Sequence, residues 1–354
     1  MSRFFIEKYS SLVPYTPGEQ PKDMKYIKLN TNESPFPPSE KAINAASEAI
    51  NILNLYSDPE SRMLTEKVAE YYGLDYENVL MTNGSDEILY FAFTAFCDKN
   101  NPAVFPDITY GFYPVYSEFL NIPFREIPLK EDFTIDINDY FNAKGTIFIA
   151  NPNAPTGETL SVADIRKIIE ANPDNVVVID EAYIDFGGES CVPLVKEYDN
   201  LLVTQTFSKS RSLAGARLGM GMASKGLIQD LNTVKYSVNP YNVNRMTSAA
   251  GYGAMCDDEY TKKNCRYIEE CREYTSAKLK ELGFEMTNSK ANFIFAKHNG
   301  ADGKKIYLKL KEKGILIRHF DKERICQYNR ITVGTKEQMD ALINALTGIL
   351  EELK

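Results

Sequence analysis

A lysine that follows an apolar run is the main candidate in this sequence for covalent chemistry. Lys209 and its neighbour Ser208 come just after Leu201–Thr206, a run typical of a buried strand. At the mouth of a sheet, a lysine amine is well placed to form an imine with an aldehyde. Arg217 lies shortly beyond it, and an arginine with a nearby hydroxyl would suit an aldehyde that also bears a phosphate. A surface ion pair would give the same pattern.

An acid ends another apolar run, at Asp180, and Tyr183 follows it closely. In open α/β sheets, ligands bind beyond the carboxyl ends of the strands. A carboxylate beside the nitrogen of a pyridine ring keeps that nitrogen protonated, so that the ring can accept electrons from a substrate carbanion. Asp180 is the candidate for this role, and Tyr183 could donate a hydrogen bond to a phenolic oxygen of the ring. A strand-end acid that caps a helix is the alternative.

Turns after other apolar runs add candidate ligands. Asn83–Glu87 joins a strand to a helix, and the free amides of a helix N-terminus, together with the Ser85 hydroxyl, can bind an anion. The turn Asn151–Gly157 contains two prolines and holds Asn153 rigidly, where its amide could donate to an oxygen. Tyr110 could stack on a pyridine ring. Taken singly, each of these could equally be a capping sequence, a connecting turn or an ordinary tyrosine.

The elements that must position these residues alternate between strands and helices. Strands are predicted at residues 79–82, 103–105, 146–150, 176–180 and 201–206, and helices at 85–97, 109–120 and 161–171. This rhythm, with continuous apolar strands, predicts an α/β fold in which helices sandwich a mostly parallel sheet. Because the candidate ligands all follow strands of one sheet, we expect them to meet at one edge of it.

The C-terminal part of the chain has a different pattern. A charged helix from about residue 260 to 282 ends at Gly283, a natural C-cap. Strands are predicted at 292–297, 315–318 and 330–333, and helices at 304–313 and 336–353. We therefore predict a large domain at residues 41–255 and a smaller α+β domain at 256–354. Residues 1–40 are predicted to form an arm that packs on the small domain.

Composition excludes several classes of partner. The formal net charge is −9, whereas a protein that binds nucleic acid without sequence preference needs a basic stripe. The six cysteines form no CxxC pair and the chain has two histidines, so we expect no metal site. No run approaches the ~20 apolar residues that span a membrane, and no secretory signal is evident. A cytoplasmic protein with reduced cysteines is expected.

In order and wording, these motifs resemble the pyridoxal 5′-phosphate (PLP)-dependent aminotransferases of fold type I, above all their histidinol-phosphate aminotransferase branch. The resemblance runs along nearly the whole chain. It is carried by Leu29–Phe36, Thr82–Glu87, Asp180–Tyr183, Thr206–Lys209, Leu213–Arg217 and Arg330–Gly334. It implies PLP as the cofactor and a ping-pong transamination, through pyridoxamine phosphate, between L-histidinol phosphate and 2-oxoglutarate in histidine biosynthesis.

The resemblance also implies the roles of individual residues. Lys209, Asp180 and Tyr183 are the catalytic residues: Lys209 holds the cofactor aldehyde and moves the proton, Asp180 pairs with the pyridine nitrogen, and Tyr183 binds the phenolic oxygen. The other cofactor ligands are Tyr110, which stacks on the ring, the phosphate-binding Ser85, Asp86 (through its amide), Ser208 and Arg217, and Thr206, Asn153 and Tyr56. Tyr56 matches a tyrosine that reaches the cofactor phosphate of the partner subunit, which implies a homodimer with shared sites.

For the substrate, the resemblance assigns four residues. Arg330 matches the arginine that receives the anionic end, and its planar fork suits either a carboxylate or a phosphate. Tyr15 and Asn32 match positions that line the substrate pocket, and Arg318 is a second anion contact. One departure from the family concerns Ala154, where asparagine is usual, so that either Asn153 takes over the phenolic oxygen or Tyr183 acts alone.

A second departure is Ser57, which follows Tyr56 where the family usually has proline. Other functions remain open at this stage. An aromatic amino-acid aminotransferase or a threonine-phosphate decarboxylase would share these motifs. A non-catalytic PLP-binding regulatory protein would usually carry an added DNA-binding module, and this chain starts almost directly with the arm.

Overall fold

The computed structural model describes residues 2–353. Met1 of the predicted arm and Lys354 of the predicted small domain therefore lie outside the described residues. The strands are β1 (Ile27–Lys28), β2 (Val79–Thr82), β3 (Ala103–Pro106), β4 (Phe124–Ile127), β5 (Thr146–Ala150), β6 (Val177–Asp180), β7 (Leu201–Thr206), β8 (Gly219–Ala223), β9 (Phe284–Met286), β10 (Phe293–His298), β11 (Ile315–Leu316), β12 (Arg318–His319) and β13 (Asn329–Thr332).

Helices separate most of these strands. They are α1 (Glu40–Ala49), α2 (Arg62–Tyr72), α3 (Ser85–Phe96), α4 (Phe112–Leu120), α5 (Val162–Glu170), α6 (Lys225–Val238), α7 (Arg245–Met255), α8 (Asp258–Glu281), α9 (Gly303–Glu312) and α10 (Lys336–Glu352). The predicted N-cap of α5 is confirmed, since the Ser161 hydroxyl accepts from the amide of Asp164. The helix predicted from residue 109 begins later, at Phe112, because residues 109–111 form a turn instead.

The larger sheet has the strand order β2-β8-β7-β6-β5-β3-β4 among the described residues. β8 runs antiparallel to both of its neighbours, and the other described pairs are parallel. The prediction of a mostly parallel sheet is therefore confirmed. The sequence analysis missed β4, which is largely exposed at the sheet edge, and β8, whose two glycines weaken its strand pattern.

Helices cover both faces of this sheet. Along β6, Val177 and Ile179 pack with Ile165 of α5 in one buried apolar cluster. Val178, which lies between them in sequence, packs with Ile88 of α3 in a second cluster. Successive side chains of a strand point to opposite faces, so both faces need a helical cover. This arrangement leaves the carboxyl edge of the sheet open for a site.

A smaller antiparallel sheet has the order β12-β13-β10-β9 among the described residues. Helices α8, α9 and α10 contribute to the apolar cluster around it. β1 pairs in parallel with β11, with Ile27 opposite Ile315, so a segment of the N-terminal arm is bound to this part of the chain. The strand predicted at 315–318 is split, because strand pairing is interrupted at Ile317 and the two halves join different sheets.

Among residues 2–353, no helix combines the length and apolar character that crossing a membrane requires.

Candidate active site

A cavity of about 320 Å³ opens at the carboxyl edge of the larger sheet, beside the turn between β2 and α3. It brings together nearly all of the residues predicted to hold the cofactor. Those that line it are Ser85, Asp86, Tyr110, Asp180, Tyr183, Thr206, Ser208, Lys209 and Arg217. Parallel strands end at the same edge, which is why motifs far apart in sequence meet here.

Lys209 projects its amine into this cavity from the segment after β7. The Nζ atom donates a hydrogen bond to the carbonyl of Thr31 at 3.2 Å and lies 5.7 Å from the centre of the Tyr183 ring. Thr31 also lines the cavity. The amine is thus held by a neutral carbonyl in a position where an aldehyde could reach it.

Asp180 lies at the floor of the cavity with one unused oxygen. Its side chain is buried, and Oδ2 accepts a hydrogen bond from the Tyr113 hydroxyl at 3.2 Å. Oδ1 has no hydrogen-bond partner within residues 2–353. Burial raises the pKa of this carboxyl to about 7, although the Tyr113 hydrogen bond acts to lower it. A buried acceptor without a donor is costly, and a protonated pyridine nitrogen would supply both the donor and the charge.

The other end of the cavity can bind a phosphate. The turn before α3 contains Gly84 at φ +81°, so the first amides of the helix point into the cavity. A Cβ atom on Gly84 would lie 2.6 Å from a guanidinium nitrogen of Arg217, and one on Gly219 would lie 2.4 Å from the amide nitrogen of Ser85. Glycine is therefore required at both positions for the backbone to form this cradle.

Charged and hydroxyl groups complete the cradle. Arg217 pairs with Asp86 at 3.1 Å, and Asp86 in turn accepts from the Tyr110 hydroxyl at 2.6 Å. The hydroxyl of Thr206 donates to that of Ser208 at 2.9 Å. An arginine, two hydroxyls and helix amides are the donors that a phosphate prefers. Together with the unused oxygen of Asp180 and the amine of Lys209, these groups fit PLP.

Tyr183 is oriented by contacts that the sequence analysis did not foresee. Asn32 donates from its amide to the Tyr183 hydroxyl at 2.9 Å, and Thr332 donates to the Asn32 carbonyl at 3.0 Å. With its oxygen occupied as an acceptor, the Tyr183 hydroxyl is left to donate its proton into the cavity. Asn32, predicted to line a substrate pocket, therefore also contacts the tyrosine predicted to be catalytic.

Asn153 is directed away from the cavity. Its carbonyl accepts from the Thr109 hydroxyl at 2.8 Å, and its amide donates to the Ile108 carbonyl and the Thr156 hydroxyl. These bonds fix the turn, and they leave the amide no hydrogen for a ligand. The contacts go against the prediction of Asn153 as a cofactor donor. Ala154 lines the cavity at the position of the usual asparagine, so Tyr183 is the donor that the geometry favours.

A second cavity of about 660 Å³ adjoins the first and shares Lys209 with it. All four residues predicted for the substrate line it: Tyr15, Asn32, Arg318 and Arg330. Arg330 donates to the carbonyl of Asn30 at 3.2 Å, and its Nε has no partner in the described chain. Burial lowers the pKa of its guanidinium, but the group stays charged. A half-buried cation with free donors in a cavity wall can receive an anion.

Tyr56 lies elsewhere, on an exposed apolar surface. Its side chain is 78% exposed and stacks on Tyr241, with 4.7 Å between ring centres. Arg245 donates to the backbone carbonyls of Leu55 and Tyr56, at 3.0 and 2.5 Å, and so holds the loop in place. Leu53 and Leu55 are exposed beside it. An isolated subunit would leave this surface in water.

Two further residues were missed by the sequence analysis. Glu33 lines the first cavity and pairs with Lys28 at 2.6 Å, and Tyr113 holds Asp180 as described above. Glu33 lies within a motif that was recognised, but its spacing gave no indication that it faces Lys209. Tyr113 looked like one more apolar residue of α4, and its role depends on a strand far away in sequence.

Comparison with known proteins places this geometry in context. The family model described as aminotransferase class I and II matches residues 24–346. The histidinol-phosphate aminotransferase of Brachyspira hyodysenteriae is 50% identical over 353 residues, covering 99% of this chain and 100% of that protein. The protein of that name from Clostridium beijerinckii is 48% identical over 351 residues, covering 99% and 98%.

Solved structures share the fold. The crystal structure of histidinol-phosphate aminotransferase from Sinorhizobium meliloti, in complex with pyridoxal 5′-phosphate, superimposes with a TM-score of 0.86 at 23% identity. The match covers 93% of this chain and 92% of that one. At this level of identity, the likeness concerns the fold alone.

Proposed function

Because the chain belongs to the class I and II aminotransferases, we propose that it transfers the amino group of L-histidinol phosphate to 2-oxoglutarate in histidine biosynthesis. The observation that carries the choice of substrate is the 50% identity, over 99% of the chain, with a relative of that name. The predictions of a fold type I aminotransferase and of PLP as its cofactor are confirmed.

The residues of the first cavity account for the chemistry. When bound, PLP supplies an electron sink for the carbon that carries the substrate amine. Asp180 holds the proton at the pyridine nitrogen, because its ionised form is stabilised beside a cation. Tyr183 donates to the phenolic oxygen and keeps the ring in one orientation. Lys209 would hold the cofactor aldehyde and, as a free amine, would carry the proton from the substrate carbon to the aldehyde carbon.

The residues of the second cavity account for two unlike substrates. Histidinol phosphate has a phosphate and no α-carboxylate, whereas glutamate and 2-oxoglutarate carry carboxylates. Arg330 can bind either group, because its fork forms two parallel hydrogen bonds with a carboxylate or a phosphate. Arg318 lies at the same cavity and adds positive charge. Tyr15 stacks on Phe112, with 4.3 Å between ring centres, and forms an apolar wall.

The proposal includes a homodimer. Tyr56 and the exposed apolar residues beside it form the surface that a second copy would cover, and the Tyr56 hydroxyl would then reach the phosphate cradle of the partner subunit. Measuring the mass of the holoenzyme in solution tests the dimer. Tyr56→Phe tests the shared site, since it should weaken PLP binding and leave the dimer intact.

We also propose the division into an arm at residues 1–40, a large domain at 41–255 and a small domain at 256–354. The pairing of β1 with β11 supports the docking of the arm on the small domain. A cytoplasmic location is part of the proposal. The six cysteines are free in the structure, and the cytoplasm is the compartment in which cysteine thiols stay reduced.

A half-reaction tests the substrate. PLP-loaded protein is mixed separately with histidinol phosphate, glutamate, phenylalanine and threonine phosphate, and the visible absorbance of the cofactor is followed. We expect rapid loss of this absorbance with histidinol phosphate and with glutamate. Loss with phenylalanine but not histidinol phosphate would make the protein an aromatic aminotransferase. Carbon dioxide release from threonine phosphate, without a keto-acid partner, would make it a decarboxylase.

A further inference from the structure

A short loop that follows β12 reaches across to the larger sheet. Arg324 pairs with Asp107 at 3.1 Å and donates to the carbonyl of Leu129 at 2.6 Å. Lys322 donates to the backbone carbonyl of Asp107 at 2.5 Å. Asp107 is held in turn, because its other carboxylate oxygen accepts from the amide of Leu129. We call Lys322, Arg324 and Ile325 the clasp.

Ile325 gives the clasp an apolar anchor. It is buried in a small cluster with Ile108, Leu129 and Phe133, which belong to the chain around the larger sheet. Phe295, from the smaller sheet, is part of the same cluster. Apolar side chains thus pack between the larger and the smaller sheet at this point. The side chains of Lys322 and Arg324 are more exposed than this cluster.

The clasp lies directly at the second cavity. Asp107, Lys322 and Ile325 are among its lining residues. On one side the loop leads back to Arg318, and on the other Asp107 leads on to Tyr110, three positions later. The clasp therefore joins the wall that binds the substrate anion to the wall that faces the cofactor ring.

At another contact between the two walls, the side chain of Ser289 is buried. Ser289 packs against Gly157, and the amide of Lys290 donates to the Gly157 carbonyl at 2.9 Å. By comparison, the Arg324 and Asp107 side chains are 34% and 20% exposed. Partly exposed contacts open more easily than buried ones, so we expect the clasp to open before the Ser289 contact and to let the cavity widen.

From this placement, we propose that Arg324 and Asp107 are positioning residues that set the width of the substrate cavity. They hold Arg318 and Arg330 at the distance from Lys209 that the substrate requires. The inference rests on the proposed function for the identity of the substrates. Contacts that keep the substrate cavity narrow raise the fraction of protein molecules that can bind the substrate. The apparent affinity for the substrate rises with that fraction.

Steady-state kinetics of the holoenzyme test the proposal with Arg324→Met and Asp107→Asn. Each variant should raise KM for both substrates by about tenfold, the equivalent of one charge-assisted hydrogen bond. kcat should change little, since saturating substrate restores the narrow form. The double variant should show little effect beyond that of Arg324→Met, because Asp107→Asn removes only the ion pair that Arg324→Met already removes. Arg166→Met is the control: Arg166 pairs with Glu197 at 2.6 Å, its side chain is 36% exposed against 34% for Arg324, and neither Arg166 nor Glu197 lines the cavity.

A second readout does not depend on turnover. Hydrogen exchange of the holoenzyme without substrate should be faster at residues 320–326 in Arg324→Met than in wild type. Unchanged KM in both variants overturns the proposal, and so does a fall in kcat at constant KM, which a merely structural role would give. If the wild type accepts a different amino donor in the half-reaction, the proposal of histidinol phosphate as the substrate is wrong. The KM values of wild type and variants, measured with that other donor, still decide the role of the clasp.

Discussion

Asp180→Asn should stabilise the cofactor-free protein at neutral and alkaline pH while damaging its function. The carboxyl is buried with one oxygen unpartnered among the described residues, and its pKa is about 7 instead of the ordinary 3.8. Below its ordinary pKa, folded and unfolded chains are both protonated there. Between the two values the unfolded chain loses its proton first, so stability falls as pH rises. Above about pH 7 the full penalty is present.

The size of the effect follows from the two pKa values. At about 1.4 kcal/mol for each tenfold change in proton affinity, the full penalty is about 4 kcal/mol. About 3 kcal/mol of it develops between pH 5 and pH 8. Asparagine removes the charge and keeps an acceptor for the Tyr113 hydroxyl. Glu181, which is also buried with a pKa of about 7, contributes equally to both proteins and cancels in the comparison.

Urea unfolding of the cofactor-free wild type and Asp180→Asn at pH 5 and pH 8, at one protein concentration, measures this. The advantage of Asp180→Asn should be larger at pH 8. Addition of PLP should reverse the order, since only the wild type pairs with the pyridine nitrogen. An advantage that is the same at both pH values would refute the assignment of a buried, uncompensated carboxylate.

Two further predictions concern the cofactor. Lys209→Ala should lose nearly all turnover and the visible absorbance of bound PLP, and an active variant of normal colour would disprove the assignment of the lysine. Gly219→Ala should weaken PLP binding, measured by fluorescence titration, by about tenfold or more, because its Cβ would displace the amides of the phosphate cradle. Gly348→Ala, in α10, should bind PLP normally, since its Cβ would meet no described atom within 4 Å and it does not line the cavity.

The sequence was informative wherever the chemistry is local. Buried strands such as β5 and β7 were predicted to the residue, because continuous apolar runs are typical of parallel sheets. Most residues predicted as ligands after those strands do line the first cavity, because each lies next to a glycine turn or a strand end. Motif order then identified the family. These signals depend on neighbours in sequence, which one chain displays directly.

Contacts between distant residues were not predictable in this way. Asn153 was a reasonable donor by its place in the turn, but its bonds to Ile108 and Thr109 come from another loop. β8 was missed because its first residue, Gly219, has low strand propensity. Glycine is needed there because the backbone of the turn before α3 leaves no room for a Cβ atom. In both cases the deciding partner lies far away in sequence.

The contact between Asn32 and Thr332 has a consequence for synthesis of the protein. The two residues are 300 positions apart, and Asn32 donates a hydrogen bond to the Tyr183 hydroxyl. The N-terminal arm therefore leaves the ribosome long before the strand that completes its site exists. The larger sheet can form first, as domains generally fold in order of synthesis, but Tyr183 gains its final orientation only when translation is nearly finished. A nascent chain of this enzyme is a folded scaffold before it is a catalyst.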